Sequence, residues 1–157
     1  MYKAIIISLS TFIFTTSSRS QHLEGIYIGR HLDQTVEQAR QKEYKLKRLS
    51  DQYAEFQMKQ NGEEKTAKLY ASPQSKTVWF GTVSFCENRS RSGIKRDFRN
   101  MSQAFRLKYG TPCKIRKKEI VWDNGYEFVI LEQNKDHLLH TLVSTSAFCK
   151  TTSEYKD

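Results

Sequence analysis

Apolar and polar residues alternate through the middle of the chain in a pattern that is typical of strands. Residues 53–59 and 66–71 each carry apolar side chains at every second position. An Asn-Gly pair at 61–62 stands between the two runs, and this dipeptide favours a tight hairpin turn. The pattern predicts a β-hairpin, followed by a largely apolar central strand over residues 77–85.

The sequence predicts two helices. Asp33 is predicted to cap a short, polar helix. In the second helix, apolar residues recur at three- and four-residue spacing over residues 94–109, which predicts one buried stripe. Gly110, followed by Pro112, is expected to end this helix.

Three further strands follow, over residues 119–122, 126–132 and 138–148, with turns rich in Asp, Asn and Gly between them. Parallel β-α-β crossovers would need a helix between each pair of strands, and the pattern has none there. We therefore expect an α+β fold, with helices packed on one face of a curved, mostly antiparallel sheet.

The chain also resembles itself at a nearly constant spacing. Residues 36–39 resemble 101–104, and residues 81–86 resemble 144–149, at offsets of 65 and 63. A fixed offset is typical of internal repeats. The interpretation is two tandem units, each a helix followed by strands, over residues 23–86 and 87–149.

The first twenty residues have the layout of a secretory signal peptide. A basic start at Lys3 precedes an apolar run over residues 4–14 and a small, polar run that ends at Ser20. One alternative is a membrane anchor, but the apolar run of eleven residues is too short to span a bilayer. The other alternative is a buried strand. We expect a signal peptide over 1–20, one domain over 21–150 and a polar tail over 151–157, in a protein that is periplasmic or secreted.

The charge is strongly basic. The chain has 26 Lys and Arg against 17 Asp and Glu, a net charge of +9, and about +7 remains without the predicted leader. No segment after the leader is apolar and long enough for a transmembrane span. The 38% of hydrophobic residues excludes a disordered chain. An anionic partner fits this charge, and so does an ordinary solvated basic surface.

The three cysteines fit an oxidising compartment with one disulfide and one remaining thiol. The candidates are Cys86, Cys113 and Cys149, and Cys113 with Cys149 is preferred because both lie in the second unit. Their spacing matches no zinc motif, so we expect no metal and no cofactor.

A few short motifs resemble a known fold. Ile26-Tyr27-Ile28-Gly29 before the first helix, Lys108-Tyr109-Gly110-Thr111-Pro112 after the second, and the later Trp122-Asp123-Asn124-Gly125 are similar to those of the β-lactamase-inhibitor-protein-like family. Small outer-membrane-assembly lipoproteins share that fold. No Cys stands just after the leader, in contrast to the lipoproteins. The resemblance implies a binding or inhibitory role on a concave sheet.

The candidate binding residues form two sets. The first is a basic set on or beside the second helix, and the second is a set of aromatic residues expected on the outer sheet face, where such rings often anchor partners. In the basic set the aromatics fall on the opposite, core side, so nucleic acid is not favoured. The residues are Arg89, Arg91, Lys95, Arg96, Arg99 and Arg106, and Tyr53, Tyr70 and Phe80.

We expect an exported, non-enzymatic binding or inhibitor-type protein, whose partner is a protein or an anionic envelope component. One alternative is a small basic hydrolase such as a ribonuclease, with His140 beside Glu119 or Glu127. Another is an assembly or structural factor of the envelope.

Overall fold

The computed structural model describes residues 21–60, 62–85 and 89–144. About half of these residues lie in strands and about a quarter in helices. In chain order the elements are β1 (Gln21–Leu23), β2 (Ile26–Ile28), α1 (Leu32–Gln41), β3 (Lys45–Ser50), β4 (Tyr53–Gln60), β5 (Glu63–Ala71), β6 (Val78–Phe85), α2 (Arg91–Tyr109), β7 (Lys114–Arg116), β8 (Glu119–Asp123), β9 (Glu127–Gln133) and β10 (Leu138–Ser144).

Strands β3 to β10 form one eight-stranded sheet in the order β3-β4-β5-β6-β10-β9-β8-β7. Every neighbouring pair is antiparallel. The two sets of four strands join where β6 pairs with β10. Each helix precedes one set, and the interpretation of the sets as tandem units stays a prediction.

The predicted fold class is wrong. The described part of the chain is mostly β, with 50% strand and 24% helix in an eight-stranded sheet, a two-stranded sheet and two helices, so strands and not helices dominate the fold. Four strands, β1, β2, β3 and β7, were not predicted from the sequence. Three of these four are very short, and β3 (Lys-Leu-Lys-Arg-Leu-Ser) has too many charges to show a clear alternation, as an edge strand can.

The predicted hairpins are present. Strands β4 and β5 pair antiparallel out to Gln60 and Glu63, as the predicted hairpin requires. Gly62 has φ 80°, a conformation that L-residues rarely adopt. Asn61 lies outside the described residues. The β8–β9 turn is held by Asn124, whose side-chain oxygen accepts hydrogen bonds from the backbone N–H groups of Tyr126 and Glu127.

Both helices begin and end for local reasons. His31, not Asp33, is the N-cap of α1, and its Nδ1 accepts a hydrogen bond from the backbone N–H of Asp33. Ser90 caps α2 by accepting from Gly93 N–H, and α2 ends at Gly110 as predicted.

One core lies on one side of the sheet. It takes side chains from the β1–β2 hairpin, from the inward positions of the strands and from one stripe of each helix. From α2, Ile94, Phe98 and Phe105 are buried there, and the Phe105 ring lies edge-on to Trp122 of β8, with ring centroids 5.6 Å apart. The other side of the sheet is therefore left for contacts outside this core.

Candidate binding surfaces

The sheet side opposite the core is here called the open face. Its residues alternate with buried ones along strands such as β5, where Ala67 and Leu69 are fully buried, whereas Lys68 and Tyr70 are exposed. The hairpin and the helices contribute their buried residues to the core on the opposite side. The open face is therefore the larger surface of the sheet that remains accessible in the described part of the chain.

A row of aromatic and apolar side chains crosses the open face. Tyr53 of β4 pairs with Tyr70 of β5, and Tyr70 pairs with Phe80 of β6. Val143 of β10 pairs with Phe80 on one side and with Phe128 of β9 on the other. These five residues are called the aromatic band. They lie on five adjacent strands, which at about 4.8 Å per strand cover roughly 19 Å.

The aromatic rings of the band pack against one another. The ring centroids of Tyr53 and Tyr70 are 5.1 Å apart, and those of Tyr70 and Phe80 are 5.3 Å apart in an edge-on arrangement. Trp79 extends the group, with its centroid 5.5 Å from that of Phe80. Tyr70 keeps 38% of its surface exposed and Phe128 keeps 36%. The band is thus preformed and still accessible.

The Tyr53 hydroxyl is fixed as well. It donates a hydrogen bond of 2.6 Å to Oε2 of Glu55, two residues along the same strand. Burial, and then this bond to a carboxylate, raise the pKa of Tyr53 above its ordinary value. The phenol therefore stays a neutral donor, and its ring is held at one end of the band.

The residues beside the band carry both signs of charge. Glu55 pairs across the strands with Lys68, and Arg48 Nε lies 3.9 Å from the Glu55 carboxylate. An apolar row bordered by mixed charges has the composition of a protein-binding patch, with a hydrophobic centre and a polar rim.

The predicted basic set divides into two groups. Arg89 forms ion pairs with Glu63 and Asp97, and Arg96 lies 3.7 Å from Asp97. The other four are exposed, and no acidic group lies within ion-pair distance of them in the described residues. These four, Arg91, Lys95, Arg99 and Arg106, are called the basic stripe.

His140 does not occupy the position that the hydrolase alternative needs. Its side chain is 2% exposed and points into the core, where its ring centroid lies 4.7 Å from that of Phe105. Glu119 belongs to the open face, on the other side of the sheet, and the carboxylate nearest to His140 in an ion-pair contact is that of Glu24. A substrate cannot reach this imidazole in the folded conformation, so the geometry does not favour a hydrolase that uses His140.

Cys113 is exposed and forms no disulfide; its thiol donates to the Val121 carbonyl at 3.4 Å. Cys86 and Cys149 lie outside the described residues, and the preferred pairing of Cys113 with Cys149 is not observed at Cys113. In the described ranges, no group of three or more His, Cys, Asp or Glu side chains is placed to hold a metal ion. No helix in those ranges has the length and apolar character needed to span a bilayer.

Comparison with known proteins found no match: no family model, no curated protein and no solved structure is similar to the chain. The resemblance to the β-lactamase-inhibitor-protein-like fold therefore stays a prediction.

Sequence reasoning placed Tyr53, Tyr70 and Phe80 on the outer face, and the structure brings them into one row. It missed Val143 and Phe128. Strands β9 and β10 are apolar at successive positions, so alternation does not reveal which side chains face outward. Only the register of β10 between β6 and β9 places Val143 and Phe128 beside Phe80.

Proposed function

We propose that this chain is an exported, non-enzymatic binding protein that recognises a protein partner through the aromatic band. The observation that carries the proposal is the unbroken row of five paired side chains across five strands of the open face. The signal-peptide layout of residues 1–20, which lie outside the described residues, supports export.

A protein partner fits the band better than a small molecule does. The band is a long row on a sheet face, whereas small-molecule sites are concave and enclose most of their ligand. Tyr, Trp and Phe dominate the energetic centres of protein interfaces. Rings that are already held by their neighbours lose little conformational entropy on binding, which favours affinity.

The test compares capture of envelope proteins by the mature chain and by two double variants. Tyr70→Ala with Phe128→Ala removes the two most exposed rings of the band. Leu107→Ala with Ile115→Ala is the matched control, because these apolar residues are 91% and 59% exposed and lie outside the band. Bound proteins are quantified by mass spectrometry, and thermal melting verifies that every variant is folded.

We expect one captured protein to be retained equally by the wild type and the control, and at least about 30-fold less by the band variant, because loss of a single hot-spot ring costs about 2 kcal/mol or more. Equal capture by all three proteins would contradict a role for the band. Loss of capture in the control alone would also contradict it.

Export has its own test. The mature protein is expected to start at Gln21, as measured by intact-mass analysis of the protein from the envelope or culture medium. Full-length protein with Met1 present and all thiols reduced in the cytosol would contradict export and leave the binding proposal to stand on the band alone.

A further inference from the structure

The basic stripe runs along one flank of α2. Arg91, Lys95, Arg99 and Arg106 follow one another at spacings of four, four and seven residues. At 100° per residue, all four fall within a sector of about 80°. At about 1.5 Å of rise per residue, the stripe is about 22 Å long. It is a straight row of like charges beside the buried stripe of the helix.

Helix stability accounts for Arg106, which lies in the last turn of α2, but it does not explain the charge at Arg91. The N-terminus of a helix carries partial positive charge, so acidic residues stabilise the first turn and basic residues oppose it. Helix α1 follows this rule, with Asp33 in its first turn and Arg40 in its last. Helix α2 has no acidic residue in its first turn and carries Arg91 there instead. The cation at this end costs stability, which points to a role outside the fold.

The ion pairs around α2 lead to the same conclusion. Asp97 is the only acidic residue of α2, and it contacts Arg89 and Arg96. The four residues of the stripe lie away from it and are exposed to solvent. The four charges therefore form no ion pair with a described acidic group, and an external anion would supply one.

The row fits a linear polyanion. Donors spread over about 22 Å cannot converge on one small anion. Membrane-surface helices insert an apolar face into the bilayer, and the apolar face of α2 is buried in the core through Ile94, Phe98 and Phe105. Protein interfaces have an apolar or aromatic centre, and the stripe has none. Single-stranded nucleic acids need aromatic platforms for their bases, which the stripe also lacks.

From these observations we infer that the basic stripe binds a linear phosphodiester polymer through its backbone charges alone. This surface is separate from the aromatic band, so the inference does not depend on the proposed protein partner. If charge alone is recognised, the binding affinity should depend strongly on salt concentration and should not depend on the chemical groups that link the phosphates.

The probe is poly(glycerol phosphate), titrated with the mature chain at several salt concentrations. Four phosphate contacts predict a slope of about −3 for log affinity against log salt, and a loss of about 60-fold between 50 and 200 mM salt. Replacing Lys95, Arg99 and Arg106 by Gln should reduce the slope to about −1. The control variant has the same net charge and replaces the exposed Arg40, Lys47 and Lys135 by Gln.

The control variant is expected to keep the wild-type slope. Equal effects of the two triple variants would overturn the inference, because net charge alone would then explain the binding. Duplex DNA should bind with a similar slope. Binding to DNA but not to poly(glycerol phosphate), or binding only to phosphatidylglycerol vesicles, would also overturn it.

Discussion

The Nδ1 atom of His140 lies 3.7 Å from Oε1 of Glu24. This contact joins the centre of the eight-stranded sheet to the turn of the β1–β2 hairpin. On its other side, Oε2 of Glu24 accepts a 3.0 Å hydrogen bond from Nζ of Lys65 in β5. Neither ring nitrogen of His140 has a hydrogen-bond partner in the described part of the chain. A partly charged cluster therefore lies under the hairpin at the margin of the core.

This cluster predicts that acid destabilises the fold. Burial lowers the pKa of His140 below 6.5, and the His140 imidazole, then the Lys65 ammonium, lower the pKa of Glu24 to about 2. Below pH 6.5 the unfolded chain binds a proton at His140 that the folded chain does not, and below pH 4.5 the same holds for Glu24. Stability should therefore fall as the pH drops from 6.5 toward 2.

Urea unfolding midpoints at pH 7, 5 and 4 measure this effect. His140→Leu should flatten the decline between pH 6.5 and 5, because the buried imidazole is removed. His31→Asn is the control: its side chain is 44% exposed, and Asn can still cap α1. A wild-type midpoint that is the same at pH 7 and at pH 5 would contradict the prediction.

The Glu24–Lys65 pair is expected to stabilise the fold measurably. Both side chains are largely buried, at 20% and 14% exposure, so removal of one leaves the other poorly solvated. Glu24→Gln should lower the free energy of unfolding by about 2 kcal/mol at pH 7. The measurement is chemical denaturation of this variant, of Lys65→Met and of the double variant.

The control is the ion pair of Lys76 and Asp51, in which the charged atoms are 3.7 Å apart. The Asp51 side chain is 91% exposed. Asp51→Asn should change stability by less than about 0.5 kcal/mol, as for most surface ion pairs. Additive effects of the Glu24 and Lys65 substitutions would show that the two side chains do not interact.

Gly81 of β6 is predicted to tolerate no side chain. A Cβ atom at this position would lie 2.7 Å from a methyl carbon of Leu23 and 2.9 Å from one of Ile28, both in the β1–β2 hairpin, and 3.1 Å from one of Leu69. Because all three are buried, Gly81→Ala should cost about 1–3 kcal/mol of stability. The measurement is thermal or urea unfolding.

The neighbouring substitution Thr82→Ala is the control for Gly81→Ala, since Thr82 lies on the open face of the same strand, opposite Lys68. It should cost much less. If Gly81→Ala is as stable as the wild type, the hairpin does not pack against β6 as described.

The sequence determined the local features of this protein. Alternation identified β4 and β5, a largely apolar run identified β6, and the apolar period identified α2. Gly62 and Gly110 marked a turn and a helix end. Each of these features depends on neighbours along the chain. The strand-rich fold class could not be predicted in this way. Short strands such as β1 and β7 carry too few residues for a pattern and exist only because a partner strand satisfies their backbone groups.

Tertiary structure alone decided which distant residues meet. The register of β10 between β6 and β9 completes the aromatic band, and the packing of the hairpin brings Glu24 to His140, more than a hundred residues away. Pairing of strands and packing of a core depend on the whole chain at once, whereas periodicity reports only which face of one element is apolar. The four cations of the basic stripe were visible in the sequence, and the ion pairs that set Arg89 and Arg96 apart from them were not.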